Sequence, residues 1–61
     1  MNKFLTAEDI LVIILELSKS QGFYGRLLKS LEESKHKHEI LESWAKNNFK
    51  DKLDFILWIE Q

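Results

Sequence analysis

A chain with no proline, no cysteine and only two glycines has little with which to break a helix or staple a loop. Proline and glycine are the strongest local breakers, so their scarcity over 61 residues favours helices joined by polar turns. The lack of cysteine removes both disulfides and thiolate metal sites as stiffeners. The length fits one helical domain, residues 1–61. A domain of this size buries only ~60% of the surface its unfolded chain exposes, so it is marginal alone. Its 44% hydrophobic content is nevertheless too high for a disordered tail.

Hydrophobic spacing divides the chain into an all-α bundle of three or four short helices, at about 7–20, 23–33, 38–46 and 50–60. Thr6, followed by Glu8 and Asp9, is a natural start for the first helix: a hydroxyl to cap an early amide, then acids against the positive end of the dipole. Ile10, Ile13, Ile14 and Leu17 fall on one face, and Leu11, Val12 and Leu15 make the helix apolar on more than one side. The β-branched residues would also suit a strand, but no second strand candidate pairs with it. Gly22 is expected to stop this helix in a left-handed conformation, and Gly25 to let two helix backbones approach. In the second helix Phe23, Leu27 and Leu31 align, as do Tyr24, Leu28 and Leu31. We expect Phe23 and Leu27 to face the core and Tyr24, turned by roughly 100°, to reach the rim. Asn47 and Asn48 interrupt the third helix, with Asn48 and then Asp51 as a capping pair for the fourth; alternatively the last two helices form one kinked helix. Trp44, Phe49, Leu53 and Trp58 are expected to be largely buried.

Most functional classes find little support. Nine basic residues against ten acidic ones give a net charge of −1, without the basic excess of a duplex binder. The GFYG string at residues 22–25 has the G-x-x-G form of a phosphate-clamping loop, but the sheet that such a loop serves is missing. A helix–turn–helix reading would offer Arg26 and Lys29 to a groove together with repelled Glu32 and Glu33. The string HEILE at residues 38–42 resembles half of a zinc motif with Glu42 in place of the second histidine, and two ligands do not make a site. No serine or cysteine carries a base and orienter, and so small a chain is not expected to form a pocket of ~300 Å³. We therefore expect a non-enzyme, with no cofactor and no metal. In the last helix Lys50 and Lys52 are offset by Asp51, Asp54 and Glu60, which disfavours a membrane-surface role. The apolar run at residues 10–15 is far short of a ~20-residue span and, following Glu8 and Asp9, does not read as a secretory leader. A cytoplasmic location is the expectation.

What remains is an excess of apolar surface on the first and last helices, which predicts a homodimer or a protein partner. The rarest residues gather at positions 20–28, SQGFYGRLL, with both glycines, the sole tyrosine and the sole arginine. Gln21, Tyr24 and Arg26 form the candidate interaction patch, since Tyr and Arg are enriched at binding hot spots. For Arg26 itself the favoured reading is a structural tie to an acid of another helix, such as Glu16 or Asp54, with membership of the patch as the other.

The strings LSKSQGFYGRLLKSLEE and NNFKDKLDFILWIE resemble a group of small uncharacterised proteins encoded in phages and prophages of Gram-positive bacteria. The likeness runs from about Glu8 to Glu60 and is sharpest at residues 20–28. It implies a phage accessory protein acting inside the bacterial host cell, by binding and modulating or inhibiting a host enzyme. Nucleic-acid mimicry would need a denser acidic face than Glu32, Glu33, Glu39 and Glu42 supply. The runners-up are a small helical DNA- or RNA-binding regulator and a structural homo-oligomer.

Overall fold

The computed structural model describes residues 3–61, which hold four α-helices and no strand: α1 (Ala7–Ser18), α2 (Gly22–Glu33), α3 (Lys37–Ala45) and α4 (Lys52–Ile59). Thr6 caps α1 reciprocally. Its hydroxyl accepts from the Asp9 amide at 3.1 Å, and the Asp9 carboxylate accepts from the Thr6 amide at 3.0 Å. Two otherwise unpaired amides are thereby satisfied at the helix start.

The end of α1 differs from expectation. The helix stops at Ser18, and no glycine has a positive φ. The Gln21 amide closes the turn by donating to the Leu17 carbonyl at 2.9 Å, and Gln21 itself is extended (φ −131°, ψ 122°). A left-handed residue is therefore not needed, and Gly22 serves as the first residue of α2 rather than the stop of α1. The left-handed position lies elsewhere, at Asn48 (φ 61°). Asparagine tolerates this conformation better than most side chains, and it ends α3 by turning the chain. Asn48 is thus a terminator and not a cap of α4. That cap is Asp51, whose carboxylate accepts from the Asp54 amide at 3.0 Å, while Asp54 accepts from the Lys50 amide at 2.9 Å. The left-handed turn also makes α3 and α4 separate helices.

Ile10, Ile13 and Ile14 of α1 form the centre of the core, joined by Leu31, Leu41, Phe49 and Phe55. Helix α1 packs against all three other helices, whereas the backbone of α4 approaches that of α1 alone. Aromatic rings fasten α4 further. Phe55 is fully buried, with ring centroids of Phe49 at 5.5 Å and Trp44 at 6.3 Å, and Trp58 lies 5.3 Å from Phe49. The Leu5 amide donates to the Phe49 carbonyl at 2.8 Å and ties the segment before α1 to the α3–α4 turn.

Two residues expected in the core lie outside it. Leu53 is 61% exposed, because it stands about 200° around the helix from Phe55. Trp58 is 37% exposed and covers the edge of the aromatic cluster. Phe49 is buried as expected, and Trp44 is half-buried.

Gly25 sits where α2 passes the end of α1, yet a Cβ at this position would meet the Ser18 carbonyl oxygen at 3.8 Å, an ordinary contact. Close approach does not require glycine here. Gly25→Ala should therefore raise stability by about 0.5–1 kcal/mol through helix propensity, read as a higher urea midpoint at unchanged slope. A lowered midpoint would mean that the two backbones are closer than this packing allows.

Candidate functional site

The inner side of α2 centres on buried Tyr24 and Leu31, with Leu27 and Leu28 both half-buried against the core as expected of Leu27, while Phe23 is turned outward. Tyr24 has no exposed surface, whereas Phe23 is 42% exposed. The expectation of a rim position for Tyr24 is thus overturned. The physical reason is a partner for its hydroxyl, which donates to Glu60 Oε2 at 2.5 Å across 36 residues of sequence. A buried phenol needs such an acceptor, since an unpaired hydroxyl in the interior costs free energy. The Phe23 ring packs edge-on against Tyr24 at 5.0 Å and extends outward from it.

Gln21 and Arg26 remain exposed. Arg26 stands two residues from Tyr24 on the helix, about 200° around it, and so lies on the outer face. Its guanidinium folds back over the start of α2, with Nη1 3.5 Å from where a Cβ on Gly22 would stand. Among the described residues no lysine or arginine lies within ion-pair distance of a carboxylate, so Arg26 ties neither Glu16 nor Asp54. Of the three residues of the candidate patch, Gln21 and Arg26 face solvent and Tyr24 is buried.

These elements enclose an open groove of about 340 Å³, lined by Gln21, Phe23, Ile59, Glu60 and Gln61. A second open groove, of about 390 Å³, lies between the segment before α1 and the end of α3, with Glu42 and Lys46 on its wall. Both exceed the volume expected for so small a chain, because they form between segments and not inside the bundle. We place the candidate site at the Phe23 groove. It joins an exposed aromatic ring to the part-buried hydrogen bond between Tyr24 and Glu60, which links its two walls. Ile59 and Glu60 carry no motif and were illegible in the sequence. The one available signal was a lone tyrosine in an apolar stripe, whose hydroxyl had to find an acceptor somewhere.

The histidine region offers less. His36 Nδ1 contacts Glu39 Oε1 at the exposed start of α3, and His38 and Glu42 flank a recess of about 210 Å³ beside Leu11. Among the described residues no group of three or more His, Asp or Glu side chains is placed to hold a metal ion. Nor is any helix among them long and apolar enough to cross a membrane.

Burial, then the hydrogen bond to Glu60 and the negative charge of that carboxylate, push the Tyr24 hydroxyl up to about 12. Its folded value thus lies above the ordinary value near 10, so the stabilising contribution is complete below pH ~10 and is lost as pH rises toward 12. Tyr24 is the only tyrosine, which makes the measurement clean. Tyrosinate absorbance should titrate with a midpoint near 12 in the folded chain and near 10 in urea, and Glu60→Gln should lower the folded midpoint. A folded midpoint near 10 would place the hydroxyl in water.

The chain matches no protein-family model, and no curated protein and no solved structure matches it.

Proposed function

We propose that this protein is a small non-catalytic accessory protein of phage type that acts in the bacterial host cytoplasm by binding another protein, modulating or inhibiting a host enzyme, and that it self-associates as a homodimer. The observation that carries the reading is the half-exposed Phe23 ring at the mouth of a groove, between exposed Gln21 and Arg26. An aromatic anchor beside an arginine is the composition of a protein-binding hot spot. A ring left partly in water on so small a domain also gives up burial that the fold needs, so its position is accounted for by a partner. Exposed Val12 and Leu15 on α1 add to the apolar surface available.

The runner-up is a nucleic-acid-binding regulator, favoured by the exposure of Arg26 and Lys29 on one face of α2. Glu32 and Glu33 are exposed on the same helix, and the net charge of −1 offers no basic field for a phosphate backbone. Salt separates the readings: phosphate binding weakens steeply with ionic strength and an apolar interface does not.

The test uses the immobilised full chain to capture proteins from host lysate, side by side with Phe23→Ala and Arg26→Ala. A partner retained by the wild type should bind each variant at least about tenfold more weakly, with helical content unchanged. Equal retention by wild type and Phe23→Ala would remove the groove from the function.

A further inference from the structure

The Phe23 groove holds a charge that the chain itself does not answer. Of the five residues that line it, Gln21, Phe23, Ile59, Glu60 and Gln61, Glu60 alone is charged. Its carboxylate is fixed from one side, where Oε2 accepts from the Tyr24 hydroxyl, and Oε1 takes no hydrogen bond among the described residues. Nor does any lysine or arginine among them lie within ion-pair distance of a carboxylate. Arg26 folds over Gly22, outside the lining. Glu60 is also the C-cap of α4, where the helix dipole is already negative, and no basic residue stands in the last turn of that helix. The start of α2 brings a positive helix end to the same groove at Gln21. Each helix end carries only about half a charge and the two oppose, so the carboxylate sets the sign.

Resting on the reading of this groove as a protein-binding site, we infer that it receives a basic side chain, arginine or lysine, from the partner protein. Both residues have an apolar stem and a cationic head. The stem suits Phe23 and Ile59. The head meets the free oxygen of Glu60 beside a half-exposed aromatic ring, where ring and carboxylate both attract a cation. A purely apolar side chain would cover the same carbon and leave the carboxylate desolvated and unpaired, which costs free energy. An acidic segment or a phosphate backbone would meet like charge. The groove is open, so it suits a side chain presented on a larger surface, whereas a small-molecule pocket encloses most of its ligand.

Chemical-shift titration of the full chain at low salt tests this with four capped tripeptides, each carrying arginine, lysine, norleucine or glutamate between two glycines, to about 50 mM. The arginine and lysine peptides should move the amides of Gln21, Phe23, Ile59, Glu60 and Gln61. They should bind at least about fivefold more tightly than the norleucine peptide, and the glutamate peptide should leave those amides in place. Glu60→Gln keeps an acceptor for the Tyr24 hydroxyl and removes the charge, so it should weaken the arginine peptide at least about fivefold. Equal binding of norleucine and arginine, indifference to Glu60→Gln, shifts spread over other exposed acids such as Glu8 and Glu39, or no shift at all overturns the basic occupant. Lysate capture separates this from the reading on which it rests. A partner weakened by both Phe23→Ala and Glu60→Gln supports both. A partner lost with Phe23→Ala but held equally by Glu60→Gln keeps the protein-binding groove and overturns the basic side chain.

Discussion

The hydrogen bond from buried Tyr24 to Glu60 is the constraint on which the rest of the site depends. The backbone of α4 packs near α1 only, so the tail of the last helix reaches α2 through side chains. The phenol supplies a fully buried apolar body that packs edge-on against Phe23, and its hydroxyl supplies the directional bond. A leucine at position 24 would bury comparable carbon but would leave Glu60 without a reason to stay. With the bond in place, Phe23 on one wall and Ile59 on the other are held at a fixed separation, and a groove results. The tyrosine that draws attention in the sequence thus acts from below the surface, with the half-exposed Phe23 ring packed on it.

Helix α1 carries the remainder of the fold. It presents three buried isoleucines to the other elements, and its start is fixed by the reciprocal Thr6–Asp9 cap. A four-ring aromatic cluster then fastens α4, with fully buried Phe55 at its centre and Trp58 as its half-exposed rim. Each aromatic pair adds roughly 0.5–1.5 kcal/mol beyond simple burial. In a domain whose total margin is small, a few such contacts decide whether the last helix is formed. This division of labour explains why α4 can expose two leucines outward and still hold its place.

Much of the architecture was legible in the residues. The absence of breakers gave the helical class, the Thr6–Asp9 signal gave the start of α1, and the apolar spacing located all four helices to within two residues or so. The faces of α2 and α4 were not legible. Two alternative stripes existed in α2, one through Phe23 and one through Tyr24. Local spacing cannot choose between them, because the choice is made by Glu60, 36 residues away. The same limit misassigned Leu53, which is apolar but stands opposite Phe55. The turn chemistry failed in a different way. Glycine suggested a left-handed stop at position 22, while an ordinary turn sufficed there and Asn48 adopted that conformation instead.

Because Tyr24 is held to be the link between α2 and the end of α4, its effect should be local before it is global. Amide hydrogen exchange of Tyr24→Phe against the wild type, residue by residue, is the direct measurement. Loss of the hydroxyl should lower protection in α4, most strongly near its C-terminal end, by a larger factor than in α1, since sub-global opening reports the stability of each cooperative unit. Protection that falls equally in all helices, or that is unchanged in α4, would contradict the account and remove the Tyr24–Glu60 bond from its central place.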